Sequence, residues 1–137
     1  MLSSELILIP KTMREFLRGK IHNAKITKAD VDYEGSLGVD SELMRSAGLR
    51  PFESVEIYNV SNGHRLRTYL IELPPNSGRF ESNGAAAHWI KEGDRVIIAA
   101  YEYFQDLEIP KHRPRIVILD SQNRPKEVYE SNTDYKY

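Results

Sequence analysis

A glycine followed by a serine, Gly35-Ser36, is the pair in this chain that carries chemistry of its own. The Ser36 hydroxyl can attack the Gly35 carbonyl and turn the peptide bond into an ester. Gly35 has no Cβ to shield that carbonyl, and it tolerates backbone that other residues resist. β-Elimination then frees the Gly35 carboxylate and leaves dehydroalanine at position 36. Hydrolysis of that enamine gives a ketone, a pyruvoyl group, as a new amino terminus. Such a ketone takes up an amine as a Schiff base and draws electrons from it, as an organic cofactor does. Standing alone, a Gly-Ser pair is more often a turn or a solvated loop.

Other motifs support the chemistry here. Gly19-Lys20-Ile21-His22 comes first, then Tyr33-Glu34-Gly35-Ser36. Asn59-Val60-Ser61-Asn62-Gly63-His64-Arg65 follows, then Thr68-Tyr69, then Asn83-Gly84-Ala85-Ala86-Ala87-His88. Each is weak alone. In this order and spacing, from about Met13 to about Tyr103, the chain resembles the aspartate 1-decarboxylase family. That family makes β-alanine and CO2 from L-aspartate for pantothenate, and so coenzyme A, synthesis.

The resemblance implies a carboxy-lyase made as a zymogen. Autocatalytic cleavage between Gly35 and Ser36 would give a β chain of residues 1–35 and an α chain of residues 36–137. It implies a covalently bound pyruvoyl group at Ser36, with no metal and no pyridoxal phosphate. It further implies a double-psi β-barrel with short helices. The assembly would be a cytoplasmic homotetramer with active sites between neighbouring subunits. Processing in such an enzyme can also call on a maturation factor.

Roles follow for the matched residues. The site must hold the two carboxylates of aspartate, keep the departing one poorly solvated and return a proton to the α-carbon. Arg65 is the main expected anchor, because a guanidinium grips a carboxylate through two parallel hydrogen bonds. Lys20 is the second cation. Without the motifs, both would read as solvated strand cations. Arg67 should share a face with Arg65 and is a rival for its role. Tyr69 matches the proton donor, with burial expected to keep its phenol protonated; a packing tyrosine is the plainer use of the residue. Thr68 matches a position that serves both self-cleavage and substrate binding, and in a regular strand it points away from Tyr69. Gly84, Ala85 and Ala86 match a substrate-binding segment where small residues let ligand oxygens approach main-chain N–H groups. Asn83 is expected to cap the helix opening there and to orient the substrate or the ketone. His22 and Tyr33 are supporting polar residues or satisfied interior ones. Tyr58 is expected to line the pocket, whereas His64 and His88 read as surface residues.

The elements that must position these residues are short. The chain has 137 residues, 19 Lys and Arg against 20 Asp and Glu, and no cysteine. That suits one domain, residues 13–137, with residues 1–12 as an accessory extension. A strand from Glu5 to Ile9 is one reading of the extension, a disordered or added leader is another, and Met13 as the natural start is a third. The charge balance gives no reason to expect nucleic acid, and no apolar run is long enough to span a bilayer. Cysteine nucleophiles, disulfides and thiolate metal sites are excluded. From Phe16 to Asp40 the pattern reads as extended. A short helix follows, capped by Asp40 or Ser41, with Leu43, Met44 and Ala47 as its stripe and Gly48 at its end. Val55 to Leu73 reads as a hairpin turning at Asn62-Gly63. Arg79 to Ser82 is a brief strand, Gly84 opens a second short helix, and Arg95 to Tyr101 is a central strand. Arg115 to Asp120 and Lys126 to Tyr129 complete a mainly β fold, a barrel or a sandwich on pattern alone.

Two other functions fit the same residues. One is an unprocessed barrel that binds small anions or partner proteins. The other is a serine hydrolase acting through Ser36 and a histidine, although no Gly-x-Ser-x-Gly signature surrounds Ser36.

Overall fold

Residues 12–137 are described by the structure, a computed structural model. The expected Glu5–Ile9 strand lies outside the described residues. Among the described residues, nine strands form one mixed sheet in the order β2-β6-β3-β5-β4-β7-β1-β8-β9. They are β1 (Met13–Lys25), β2 (Lys28–Asp30), β3 (Ser36–Asp40), β4 (Ser54–Asn59), β5 (Arg65–Leu73), β6 (Phe80–Asn83), β7 (Arg95–Gln105), β8 (Arg115–Leu119) and β9 (Pro125–Glu130). One α-helix, α1 (Ser41–Ser46), follows β3, and 3-10 turns cover Gly84–His88 and Ile109–Lys111. The mainly β content with a few short helices agrees with a double-psi β-barrel.

The core is aliphatic. Ile21, Leu37, Ile57, Leu70, Phe80 and Ile98 come from six different strands and are each fully buried. Each such side chain contributes roughly 1.5–3 kcal/mol on leaving water. Alternation is clear in β4 and β5, where every second residue faces the core. It is lost in β3, whose five residues are all buried. That strand lies between β5 and β6, and both its faces are covered.

Asp40 holds one end of this frame. Its carboxylate accepts from the N–H groups of Glu42 and Leu43 at the start of α1, and from those of Asn76 and Gly78 in the loop between β5 and β6. Leu43, Met44 and Ala47 are buried as the stripe requires, and Gly48 ends the helix at φ 73°. The hairpin pairs Tyr58 with Arg65, with Gly63 in the turn at φ 82°. Val60, expected to continue β4, stands exposed in that turn.

Candidate active site

Ser36 begins β3, and Asn83, opposite it in the antiparallel ladder, ends β6. Residues paired in this way point to the same face. Asn83 Nδ2 therefore reaches Ser36 Oγ and donates to it at 3.1 Å, while Ser36 Oγ donates to the Glu34 carbonyl at 3.2 Å. Both residues are buried. Gly35, the preceding residue, is exposed. The scissile bond thus runs from an open glycine to a sequestered serine.

Gly84 shapes the other side of that bond. It opens the 3-10 turn at φ 68°, backbone that favours glycine. A Cβ there would stand 2.6 Å from Gly35 Cα, 2.9 Å from Gly35 N and 3.1 Å from the Tyr33 carbonyl oxygen. Only hydrogen fits between the two glycines. Asn83 occupies the N-cap position of this turn, as expected, but its side chain makes no cap hydrogen bond and is given to Ser36 instead. Ala85 is exposed beside this segment, and Ala86 is buried.

β5 runs parallel to β3, with Leu37 opposite Leu70. Continued back along both strands, that register sets Ser36 level with Tyr69 and Gly35 level with Thr68. As a regular strand requires, Thr68 and Tyr69 part: Thr68 is half-buried beside Leu66 and Leu70, and Tyr69 is exposed. Burial of Tyr69 was expected and is not found. The ring is 39% exposed and stacks on Phe52, with centroids 6.0 Å apart. Its hydroxyl sits at the surface because the inward positions of β5 are taken by Leu66, Thr68 and Leu70. Tyr33 is also exposed rather than interior.

The second group of residues lies on the outer face of β5, β4, β7 and β1. Arg65 faces Tyr58, Tyr58 faces Ile97, and His22 and Lys20 flank the same rows on β1. The Arg65 guanidinium lies 4.7 Å from the centre of the Tyr58 ring. Neither Arg65 nor Lys20 makes an ion pair among the described residues. Arg67 does, donating to Glu56 at 2.9 Å. That contact leaves Arg67 a weaker candidate for a substrate carboxylate. His22 Nδ1 is buried without a hydrogen-bond partner. Burial, then the charges of Lys20 and Arg95, push the His22 imidazole below its ordinary value. His22 is therefore neutral at pH 7 and is not the satisfied interior residue that one reading expected. His64 is exposed and packs on Trp89, and His88 is exposed.

The two groups are separate in one chain. Arg65 and Tyr69 share a face of β5, but four residues of strand put them about 13 Å apart. The Arg65 guanidinium is directed across to Tyr58 on β4 rather than along β5 toward Tyr69. Lys20 lies three strands beyond β5.

The family profile described as aspartate decarboxylase matches residues 12–126. The chain belongs to the aspartate decarboxylase family. It is 47% identical over 112 residues to the aspartate 1-decarboxylase of Syntrophobacter fumaroxidans, covering 82% of this chain and 90% of the relative. It is 46% identical over 111 residues to that of Cellvibrio japonicus, covering 81% and 88%. With that of Rhodopirellula baltica the identity is 45% over 121 residues, covering 88% and 78%. Membership of the aspartate decarboxylase family agrees with the resemblance carried by the five motifs. Three contacts escaped the sequence: Gly84 against Gly35, Phe52 on Tyr69, and Tyr101 against Tyr58. A glycine directly after Asn83 was the one available signal for the first, and the other two had none.

Proposed function

We propose that this chain is a self-processing aspartate 1-decarboxylase that converts L-aspartate to β-alanine and CO2 for pantothenate synthesis. The observation that carries this is the Gly35-Ser36 pair, a buried hydroxyl next to an open glycine in a cradle that a Cβ at position 84 would fill. The homologues support the substrate.

Self-cleavage breaks the Gly35-Ser36 bond after the Ser36 hydroxyl turns from the Glu34 carbonyl to that of Gly35. The products are residues 1–35 and residues 36–137, the second opening on a pyruvoyl group. The buried site with the Asn83 amide aimed at it fits that group. When present, the group supplies an electrophile for an amine and a sink for the electrons a departing carboxylate leaves.

The remaining work belongs to side chains. Asn83 Nδ2 donates to the oxygen at position 36. Thr68, level with Gly35, steadies the scissile carbonyl in the precursor and then the substrate. The segment Gly84, Ala85 and Ala86 offers main-chain contacts to a carboxylate. Tyr69 gives the α-carbon its proton, and its exposed hydroxyl supports a transfer made at a surface that a second molecule covers. Arg65 holds a substrate carboxylate and Lys20 adds charge, with neutral His22, Tyr33 and Tyr58 around them.

A second copy completes the site. Within one chain the Arg65 guanidinium turns to Tyr58 and Lys20 lies three strands beyond β5, both away from Ser36. A neighbouring subunit supplying them makes a closed oligomer, and we assign it as a homotetramer. Residues 13–137 form the enzyme, residues 1–12 are accessory, and a maturation factor can assist cleavage. No helix among the described residues is long and apolar enough to cross a membrane. A cytoplasmic location suits a chain without cysteine.

Two variants test the assignment. Ser36→Ala is expected to stay whole and to be inactive on aspartate. Tyr69→Phe is expected to cleave normally and turn over roughly a hundredfold or more slowly. Native turnover by Ser36→Ala would remove Ser36 from the chemistry.

A further inference from the structure

Arg65 and Arg67 lie two apart on one strand face and are held in different ways. Glu56 holds Arg67 by a charged hydrogen bond that also neutralises it. The Tyr58 ring holds Arg65 by its π face, which leaves the charge and the N–H edge free. The difference matters because an anchor must be fixed before the substrate arrives, yet stay unpaired.

The Tyr58 ring is itself held at its tip. Tyr58 Oη and Tyr101 Oη are 2.7 Å apart. Tyr58 faces Ile97 on β7, and Tyr101 lies four residues further along β7, beyond Ala99. The two hydroxyls meet across that span on one face of the sheet. Burial, then the bond to Tyr58, push the Tyr101 phenol up to about 12. Tyr101 keeps its proton at neutral pH, and either hydroxyl can donate to the other. Tyr101 belongs to none of the five motifs.

We propose that Tyr101 is a positioning residue for substrate binding: its hydroxyl pins the Tyr58 ring, and the ring presents the Arg65 guanidinium to a substrate carboxylate. This rests on Arg65 being the anchor, as argued above. Tyr101 touches neither substrate nor position 36, so it acts on binding and leaves chemistry and self-cleavage alone. The chain requires Tyr58 and Tyr101 together, since either hydroxyl without the other pins nothing.

The test is steady-state kinetics on processed enzyme. Tyr101→Phe is expected to raise the KM for aspartate roughly three- to tenfold, the range of one neutral hydrogen bond, with kcat, cleavage and Tm unchanged. Tyr58→Phe should do the same, and the double variant should be no worse than either. In an Arg65→Lys background, which removes the planar stack, Tyr101→Phe should add less than about a twofold change. An unchanged KM in Tyr101→Phe overturns the proposal. So does the same multiple in the Arg65→Lys background, or a joint fall in kcat and Tm. Arg65→Met separates the two levels. A raised KM there with none in Tyr101→Phe overturns only the positioning role, whereas an unchanged KM in Arg65→Met overturns the anchor.

Discussion

Replacing Gly84 by alanine tests the geometry around the scissile bond. Two costs arise. The first is conformational: alanine at φ 68° is strained by roughly 1–2 kcal/mol. The second is contact. The new Cβ would stand 2.6 Å from Gly35 Cα, where carbons settle about 3.5–4.0 Å apart. Backbone meets backbone, so no side chain can swing away, and Gly35 must move by about 1 Å. A displacement of that size costs about a hundredfold in rate at a reacting centre. Gly84→Ala should therefore process about a hundredfold more slowly, followed as conversion of the intact chain to residues 1–35 and 36–137 on a denaturing gel. Gly63→Ala is the control. It carries similar strain at φ 82°, but its Cβ meets nothing within 4 Å. Cleavage of Gly84→Ala at the rate of the Gly63→Ala control would refute the reasoning, because the contact would then be of no consequence.

Asp40→Ala should lower stability by about 2–4 kcal/mol, since the buried Leu43 N–H and three part-buried N–H groups lose their acceptor together, and a urea melt reads the loss directly. His22 sets a pH dependence. Its folded value lies below the ordinary 6.5, so its contribution to stability is present above 6.5 and is lost as pH falls through the folded value. His22→Gln should flatten the fall of Tm in that window; an unaltered slope would place the titration elsewhere. Ser36→Ala and Arg65→Met, each inactive or weak alone, should regain activity when co-expressed. About a quarter of the sites in a random mixture then draw both parental residues from different copies. A mixture no better than its parts would confine the site to one chain.

Much of the frame was legible because it is written in short-range chemistry. Asp40 before an apolar stripe and Gly48 after it dictate a capped helix wherever they occur. Asn62-Gly63 between alternating residues dictates a hairpin. Ser36, Asn83 and Gly84 could be selected by motif, but the bond from Asn83 to Ser36 depends on β3 and β6 pairing across 47 positions. Local pattern instead suggested a helix cap for the same amide. Burial of Tyr69 was expected from its match to a proton donor, whereas strand alternation assigns the inward positions to Thr68 and Leu70. Tyr101 sits inside an apolar run that reads as core, and nothing in the run marks one phenol as the partner of Tyr58.

The proposed chemistry needs a chain that cuts itself and keeps the product of the cut as its electrophile. Intact mass of active enzyme, before and after borohydride with aspartate, tests this most directly. The expected result is a 1–35 fragment and a 36–137 fragment with a blocked amino terminus, only the latter gaining substrate mass on reduction. A single unmodified polypeptide of 137 residues that still releases β-alanine would contradict it.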